Sequence, residues 1–381
     1  MTTETVFANA RIVAGGETIE GSLLVVDGAI AEIASGPSHV PGAIDLDGDF
    51  LLPGFVELHT DNLEKHFSPR PGVSWPSVPA VLAHDAQIAA AGITTVFDSL
   101  AVGDLHRGSS RLVHLEKMIE ALAATRHGDV LRAEHLIHLR CEVSHEDVVA
   151  IFERYVDEAD VRLVSLMDHT PGQRQFTRMD KYREYFKGKY GFTDGELETF
   201  VAEKIESQKL YSAVHRETLV RECRRRGITL ASHDDATPEH VDEAISDGVT
   251  VAEFPTTLDA ARRAHDAGLG VLMGAPNMVL GGSHSGNVSA MDLAREGVLD
   301  ILSSDYVPSS MVQAVFRLWQ DGAAASLPDA VATVSKTPAR LAGLGDRGEI
   351  APGKRADLVR IALNDRTPVI VSTWRAGRRI I

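Results

Sequence analysis

The sequence predicts an α/β protein: a (β/α)8 TIM-type barrel with a small β domain assembled from both ends of the chain. Three observations carry this. Eight short apolar phrases alternate with helical stretches, namely FVELH, ITTVFDS, HLIHLRCE, VRLVSLMD, ITLASHD, GVTVAEFP, GLGVLMGAP and LDILSSD. Eight strands alternating with helices are the pattern of such a barrel. Several phrases stop abruptly in His, Asp or Glu, and barrels of this kind gather their active-site groups at strand C-termini. Residues 5 to about 50 and the stretch after GEIAPGKRADLV share short β-prone runs punctuated by Gly, Asp and Pro. We therefore place a composite β-sandwich domain at 1–52 plus 345–381 and the barrel at 53–344. There is no internal repeat and no low-complexity segment.

The first barrel phrase lies in PGFVELHTDNLEKHFSPR, where Phe55 to Leu58 leads into His59 and Asp61. Residues i and i+2 of a strand share a face, so imidazole and carboxylate would converge at the strand end. Such a pair suits a divalent transition metal. The alternative is a strand end whose polar residues cap a following helix, and one His-x-Asp leaves the two readings even. The pattern recurs downstream. VRLVSLMDHT ends in Asp168 and His169, ITLASHDDAT in His233, Asp234 and Asp235, and LDILSSDYVP in Asp305. HLIHLRCEV carries His138, Arg140 and Glu142 on alternating positions of one face. Four such endings after the first favour a metal centre over separate structural histidines.

Composition narrows the function classes. At 381 residues and 44% hydrophobic content the chain can bury a sizeable core. No apolar run approaches the ~20 residues of a membrane span, and MTTETVFANARIV lacks the regions of a signal peptide. Cys141 and Cys223 are the only cysteines, which points to a reducing cytoplasm rather than a disulfide framework. A formal charge of −16 argues against nucleic acid and anionic membrane as partners. It leaves room for a small polyanion in a locally basic pocket, and for a homo-oligomer.

With these pieces in place, the chain resembles the amidohydrolase superfamily of metal-dependent hydrolases. PGFVELHTD opens the barrel, Asp305 closes it, and GEIAPGKRADLV leads into the flanking β domain. More narrowly it is similar to the diphosphatase family of the carbon–phosphorus lyase pathway of phosphonate use. The motifs are ELHTDNLEKH with PRPGV-W, SLMDHTPGQ-QF with KYREYF-GKY, ASHDDAT, AEFPTT, GAPN with GGSHSGNV, and ILSSDY. The resemblance covers essentially the whole chain. It implies hydrolysis of a ribose 1-methylphosphonate 5-triphosphate to the 5-phosphate and pyrophosphate. It also implies one or two divalent ions, zinc or manganese, held among His59, Asp61, Glu142, His169, His233 and Asp305. Such ions would bring the pKa of the attacking water toward ~7. Asp305 matches the superfamily position whose carboxylate takes a proton from that water, as a general base; the structural alternative is a helix cap. Two features depart from the superfamily pattern. Asp61 stands where a second histidine is usual, and no lysine is found at the strand end that often supplies a carboxylated bridge. Glu142 is the substitute bridge and Glu253 a reserve ligand. His169 and His233 follow phrases four and five rather than five and six. Either a strand lies unrecognised between residues 99 and 133, or the ligands are arranged differently.

Cations should recognise the phosphates. Residues 174–189 hold Arg174, Arg178 and Lys181 among others, interleaved with aromatic residues. Arginine forks there could pair phosphate oxygens, although a solvated charged helix would look the same. Lys65, His66 and Arg70 come directly after the first ligand pair, and Arg140 alternates with Glu142. GGSHSGNV offers backbone amides and His284, without the ending of a Walker loop. Two other enzyme readings share the fold, a C–N amidohydrolase or deacetylase and a nucleoside triphosphate pyrophosphatase. A metal-free binding protein is the third, disfavoured by the full complement of ligand-type residues.

Overall fold

The computed structural model describes residues 2–104, 111–157, 160–174, 187, 191–283 and 286–381. Two eight-stranded sheets organise it. The first is built from the chain ends: β1 (Glu4–Ala14), β2 (Glu17–Val26), β3 (Ala29–Ser35), β4 (Ile44–Asp45), β5 (Phe50–Pro53), β14 (Leu358–Asn364), β15 (Thr367–Arg375) and β16 (Arg378–Arg379). Its order is β16-β15-β14-β5-β1-β2-β3, with β4 paired to β1. The ends meet where β14 runs antiparallel to β5, Leu358 opposite Pro53 and Ile361 opposite Phe50. Alternating inward residues explain the pairing: Phe7, Ile12, Leu23, Val25, Leu51, Leu358 and Trp374 form one buried cluster. Phe7 and Trp374 meet edge to face at 5.0 Å, the geometry aromatic quadrupoles favour.

The second sheet takes its strands in chain order: β6 (Phe55–Thr60), β7 (Ile93–Val102), β8 (Glu134–Glu142), β9 (Val161–Met167), β10 (Thr229–His233), β11 (Val251–Glu253), β12 (Gly270–Gly274) and β13 (Ile301–Ser303). All eight predicted phrases are these strands. β6 and β7 are buried along their whole length, as expected of parallel strands covered on both faces, whose sequences read as unbroken apolar runs. The ring closes through a parallel bridge between Thr60 and Asp305. Among the described residues between 103 and 133 there is a helix, Arg111–His127, and no strand. His169 and His233 therefore do come after the fourth and fifth barrel strands.

The chain divides into two compact units, Met1–Asp98 with Glu120–Leu136 and Met273–Ile381, and Ser99–Ile119 with Ile137–Leu272. In the second unit, strand ends are set by helix caps. Thr237 caps the helix Pro238–Ser246 and Thr257 caps Leu258–Asp266, each accepting the amide three residues on. A capping hydroxyl satisfies an orphan amide and fixes where the helix begins. The chain must therefore leave β10 at His233 and β11 at Glu253 within four residues. The 33-residue helix Asp194–Arg226 opens with a Thr193–Glu196 capping box and ends at Gly227, φ 67°. Cys141 and Cys223 are both buried free thiols. No described helix is long and apolar enough to cross a membrane.

Candidate active site

In the first unit the sheet seam carries three predicted residues. His59, at the end of β6, is 1% exposed. The Asp305 amide donates to the His59 carbonyl at 3.1 Å, and the Asp61 amide donates to the Asp305 carbonyl at 2.9 Å. The Thr60 hydroxyl donates to that same carbonyl, and the Ser303 hydroxyl to the His59 carbonyl, at 2.9 and 2.7 Å. One strand spacing before His59, the buried Glu57 carboxylate accepts the amides of His59 (2.7 Å) and Ser304 (2.5 Å). It clamps the two strand ends that present His59 and Asp305. Burial pushes the Glu57 carboxyl up to about 7, while those amides pull it down. Neither cap alternative is realised. Asp61 stands at the start of the helix Asn62–Phe67 without a side-chain cap bond, and the helix after Asp305 begins at Ser310 behind Ser309. Asp305 instead adopts φ 52°, a left-handed conformation that Asp tolerates better than most residues.

In the second unit two histidines are held alike. His169 Nδ1 lies 2.7 Å from Glu142 Oε2, and His233 Nδ1 lies 3.1 Å from Glu253 Oε2. Each glutamate orients its ring through Nδ1. The Nε2 edges both face Asp234 Oδ2, at 3.6 Å from His169 and 3.5 Å from His233. His169, His233 and Asp234 thus gather ligand atoms within 4.8 Å of one another. Borderline nitrogen donors beside a hard oxygen are the donor set of a first-row divalent ion, and imidazoles fixed by carboxylates on their far nitrogen are the usual supporting shell. The electrostatics agree. Against the cost of burial, Asp234 and Glu142 hold the His169 imidazole up at about 10. Against burial too, His233, His169 and Arg140 keep the Asp234 carboxyl low, and His169 and Ser144 do so for Glu142. Burial and the Glu142 charge push Asp168 the other way, up. A positive charge between these carboxylates is what the arrangement stabilises, and the residues fit a divalent cation.

The predicted cations are differently placed. Lys65 donates to the Tyr306 carbonyl and lies 5.1 Å from the centre of that ring. His66 Nε2 is 3.0 Å from Gln87 Oε1. Arg70 is exposed, in a turn bridged to Val73. Arg140 is buried and its charge acts on Asp234. Arg174 is buried as well, its guanidinium forked on Asp235 and Glu243. Arg178, Lys181 and His284 lie outside the described residues.

A profile of the amidohydrolase family matches residues 50–380. The chain belongs to that family. A curated family relative, the alpha-D-ribose 1-methylphosphonate 5-triphosphate diphosphatase of Escherichia coli (strain K12), is 50% identical over 373 residues, covering 98% of this chain and 99% of its own. Among solved structures, N-acetyl-D-glucosamine-6-phosphate deacetylase from Mycobacterium smegmatis matches with TM-score 0.64 at 18% identity, over 99% of this chain and 100% of that one. Dihydropyrimidinase from Brevibacillus agri matches with TM-score 0.61 at 14% identity, over 99% and 95%. At such identities the two structures speak for the fold alone. The amidohydrolase superfamily is metal-dependent, which agrees with the donor cluster.

Sequence reasoning names Asp234 among the ligand-type strand endings but leaves it out of the ligand set, and it passes over Glu57. The HDD run at 233–235 is the available signal for Asp234, whose φ of 57° turns the chain directly after the strand. Glu57 sits inside an apolar run and reads as part of the strand.

Proposed function

We propose that this chain hydrolyses α-D-ribose 1-methylphosphonate 5-triphosphate to α-D-ribose 1-methylphosphonate 5-phosphate and pyrophosphate, in phosphonate catabolism. The observation that carries this is 50% identity, over nearly the full length of both chains, to a diphosphatase of that name. His59, Asp61, Glu142, His169, His233 and Asp305 form the proposed ligand set, with Asp234 added, in a barrel domain spanning 53–344. The native ion is zinc or manganese, one or two per chain. When bound it supplies Lewis-acid charge and lowers the pKa of the attacking water. Asp305 takes the proton from that water as it attacks the α-phosphorus. Lys65, His66, Arg70 and Arg140 neutralise phosphate oxygens, which matters most as charge builds on departing pyrophosphate. Arg174, Arg178, Lys181 and His284 complete the phosphate-binding side in this reading. The reducing cytoplasm suits the two thiols.

Hydrolysis in ¹⁸O-water tests the bond that breaks. Label should enter the sugar monophosphate, with unlabelled pyrophosphate as the sole inorganic product. Label in pyrophosphate, or orthophosphate released directly from the triphosphate, would refute the assignment. An N-acetylated sugar phosphate assayed in parallel should not turn over.

A further inference from the structure

A second group of ionisable residues in the first unit takes no part in the chemistry above. Asp85 (0% exposed), His135 (2%), Asp98 (0%), His84 (0%) and Asn62 (2%) form a continuous buried chain of hydrogen bonds. Asp85 Oδ1 lies 3.3 Å from His135 Nε2, and His135 Nδ1 2.7 Å from Asp98 Oδ2. Asp98 Oδ1 is 2.7 Å from His84 Nε2, and His84 Nδ1 is 3.0 Å from the Asn62 amide nitrogen. The chain surfaces at Gln87, whose Oε1 accepts from Asn62 at 2.9 Å and lies 3.0 Å from His66 Nε2. At its other end Asp85 is pinned by the amides of Arg132 and Ala133, each at 2.9 Å, and by the Arg132 side chain.

The donors can be assigned one by one. Both nitrogens of His135 face carboxylates, so both carry protons. Asp98 then receives one bond from His135 and one from His84, which places the His84 proton on Nε2. His84 Nδ1 is left with its lone pair, and it accepts from the Asn62 amide. Asn62 has two N–H groups, and its amide nitrogen lies 3.0 Å from His84 Nδ1, 2.9 Å from Gln87 Oε1 and 3.4 Å from His66 Nε2, so the two shorter contacts take the protons. The remaining bond at Gln87 must come from His66, whose proton is therefore on Nε2. The charges balance along the way: Asp85 and Asp98 against His135 and Arg132.

We infer that Gln87, Asn62 and His84 are positioning residues for His66, fixing its ring through the Nε2–H bond to Gln87 so that the Nδ1 edge is turned to substrate, where a proton on Nδ1 donates to a phosphate oxygen. The inference rests on the substrate-binding role given to His66 above. The fully protonated His135 agrees with its imidazole being held up at about 9, where Asp98 and Asp85 outweigh burial. His84, by contrast, is kept below its ordinary value by burial. A purely structural network would need none of this order beyond Asn62. Yet Gln87 is exposed, and an exposed glutamine contributes little to stability.

Gln87 gives the clean test. Gln87→Ala should fold and bind metal as the wild type does, and raise KM about 5-fold, the loss of one hydrogen bond of ~1 kcal/mol, with kcat changed by less than about twofold. Gln87→Glu keeps the acceptor and should restore KM. Independently, ¹⁵N-histidine NMR of the holoenzyme without substrate should show Nε2–H tautomers at His84 and His66, and a doubly protonated His135 at pH 7. Wild-type KM in Gln87→Ala, or an Nδ1–H tautomer at His84 or His66, overturns the inference. An incorrect substrate assignment would show separately, as no turnover by the wild type, with the tautomers read all the same.

Discussion

Two imidazole–carboxylate clusters of nearly the same composition are arranged differently in this chain. In the His84–Asp98–His135 network the carboxylate of Asp98 sits 2.7 Å from each ring, and Asp85 and Asn62 take the outer nitrogens. The group is its own counter-ion. In the His169–His233–Asp234 cluster the glutamates hold only the Nδ1 edges. Both Nε2 edges approach one oxygen from 3.5 to 3.6 Å. Three groups of partly opposed demand share a small space there, and a cation in it would meet three donors. Residue type alone does not separate a metal site from a structural one. The separating property is whether each ring's second nitrogen has a close partner of its own or shares one carboxylate oxygen with another ring.

Chelation should break the comparison most visibly. Removing divalent ions is expected to abolish turnover, and adding zinc or manganese to restore it, while His84 and His135 keep their NMR signatures throughout. Full activity in protein shown to be metal-free by elemental analysis would sink the contrast. Asp305→Asn comes next. It should keep the fold and most of the metal and lose kcat by roughly 10²–10⁴-fold, the usual worth of a general base. An early-melting variant with normal turnover per folded molecule would make Asp305 a structural residue. Glu142→Gln sharpens the distinction between ligand and supporting residue. As a proposed ligand its loss should remove most of the metal, read by competition with a chelator, whereas a loss of only about 10–100-fold in metal affinity would make it a supporting carboxylate on His169. Asp98→Asn acts only on the other cluster. It should lower stability by about 3–5 kcal/mol, the cost of breaking a buried charge pair, and leave metal content per folded chain unchanged. The smallest effect is one of pH. The folded His135 pKa of about 9 lies above its ordinary value, so its stabilisation is complete below about pH 6.5 and is lost as pH rises through about 9. Denaturant midpoints taken from pH 6 to 10 should fall over that window in the wild type, and more shallowly in His135→Gln.

The barrel was legible because eight short, mostly apolar phrases alternate with helical stretches and several of them end in ligand-type residues. The meeting of His59, Asp61 and Asp305 at one seam was legible from the strand ends that carry them. The surroundings of the cations were not. Arg174 looks like a phosphate ligand in sequence, but its carboxylate partners stand 61 and 69 residues away, at Asp235 and Glu243. The buried network escaped for a related reason. His84 and Asp85 lie on a helix, Ser77–Ala90, whose polar residues read as a solvent face, and no local signal links them to Asp98 and His135.

The bridge between Thr60 and Asp305 that closes the ring of strands also bears on the nascent chain. The proposed base is itself part of the join, its backbone bonded to the carbonyl of His59 and the amide of Asp61. During synthesis, Asp305 leaves the ribosome 245 residues after Thr60, so a growing chain holds most of its ligand-type side chains long before the join exists. On that reading it has neither a closed barrel nor a base until the join forms, and completion of the fold and onset of hydrolysis would be one event.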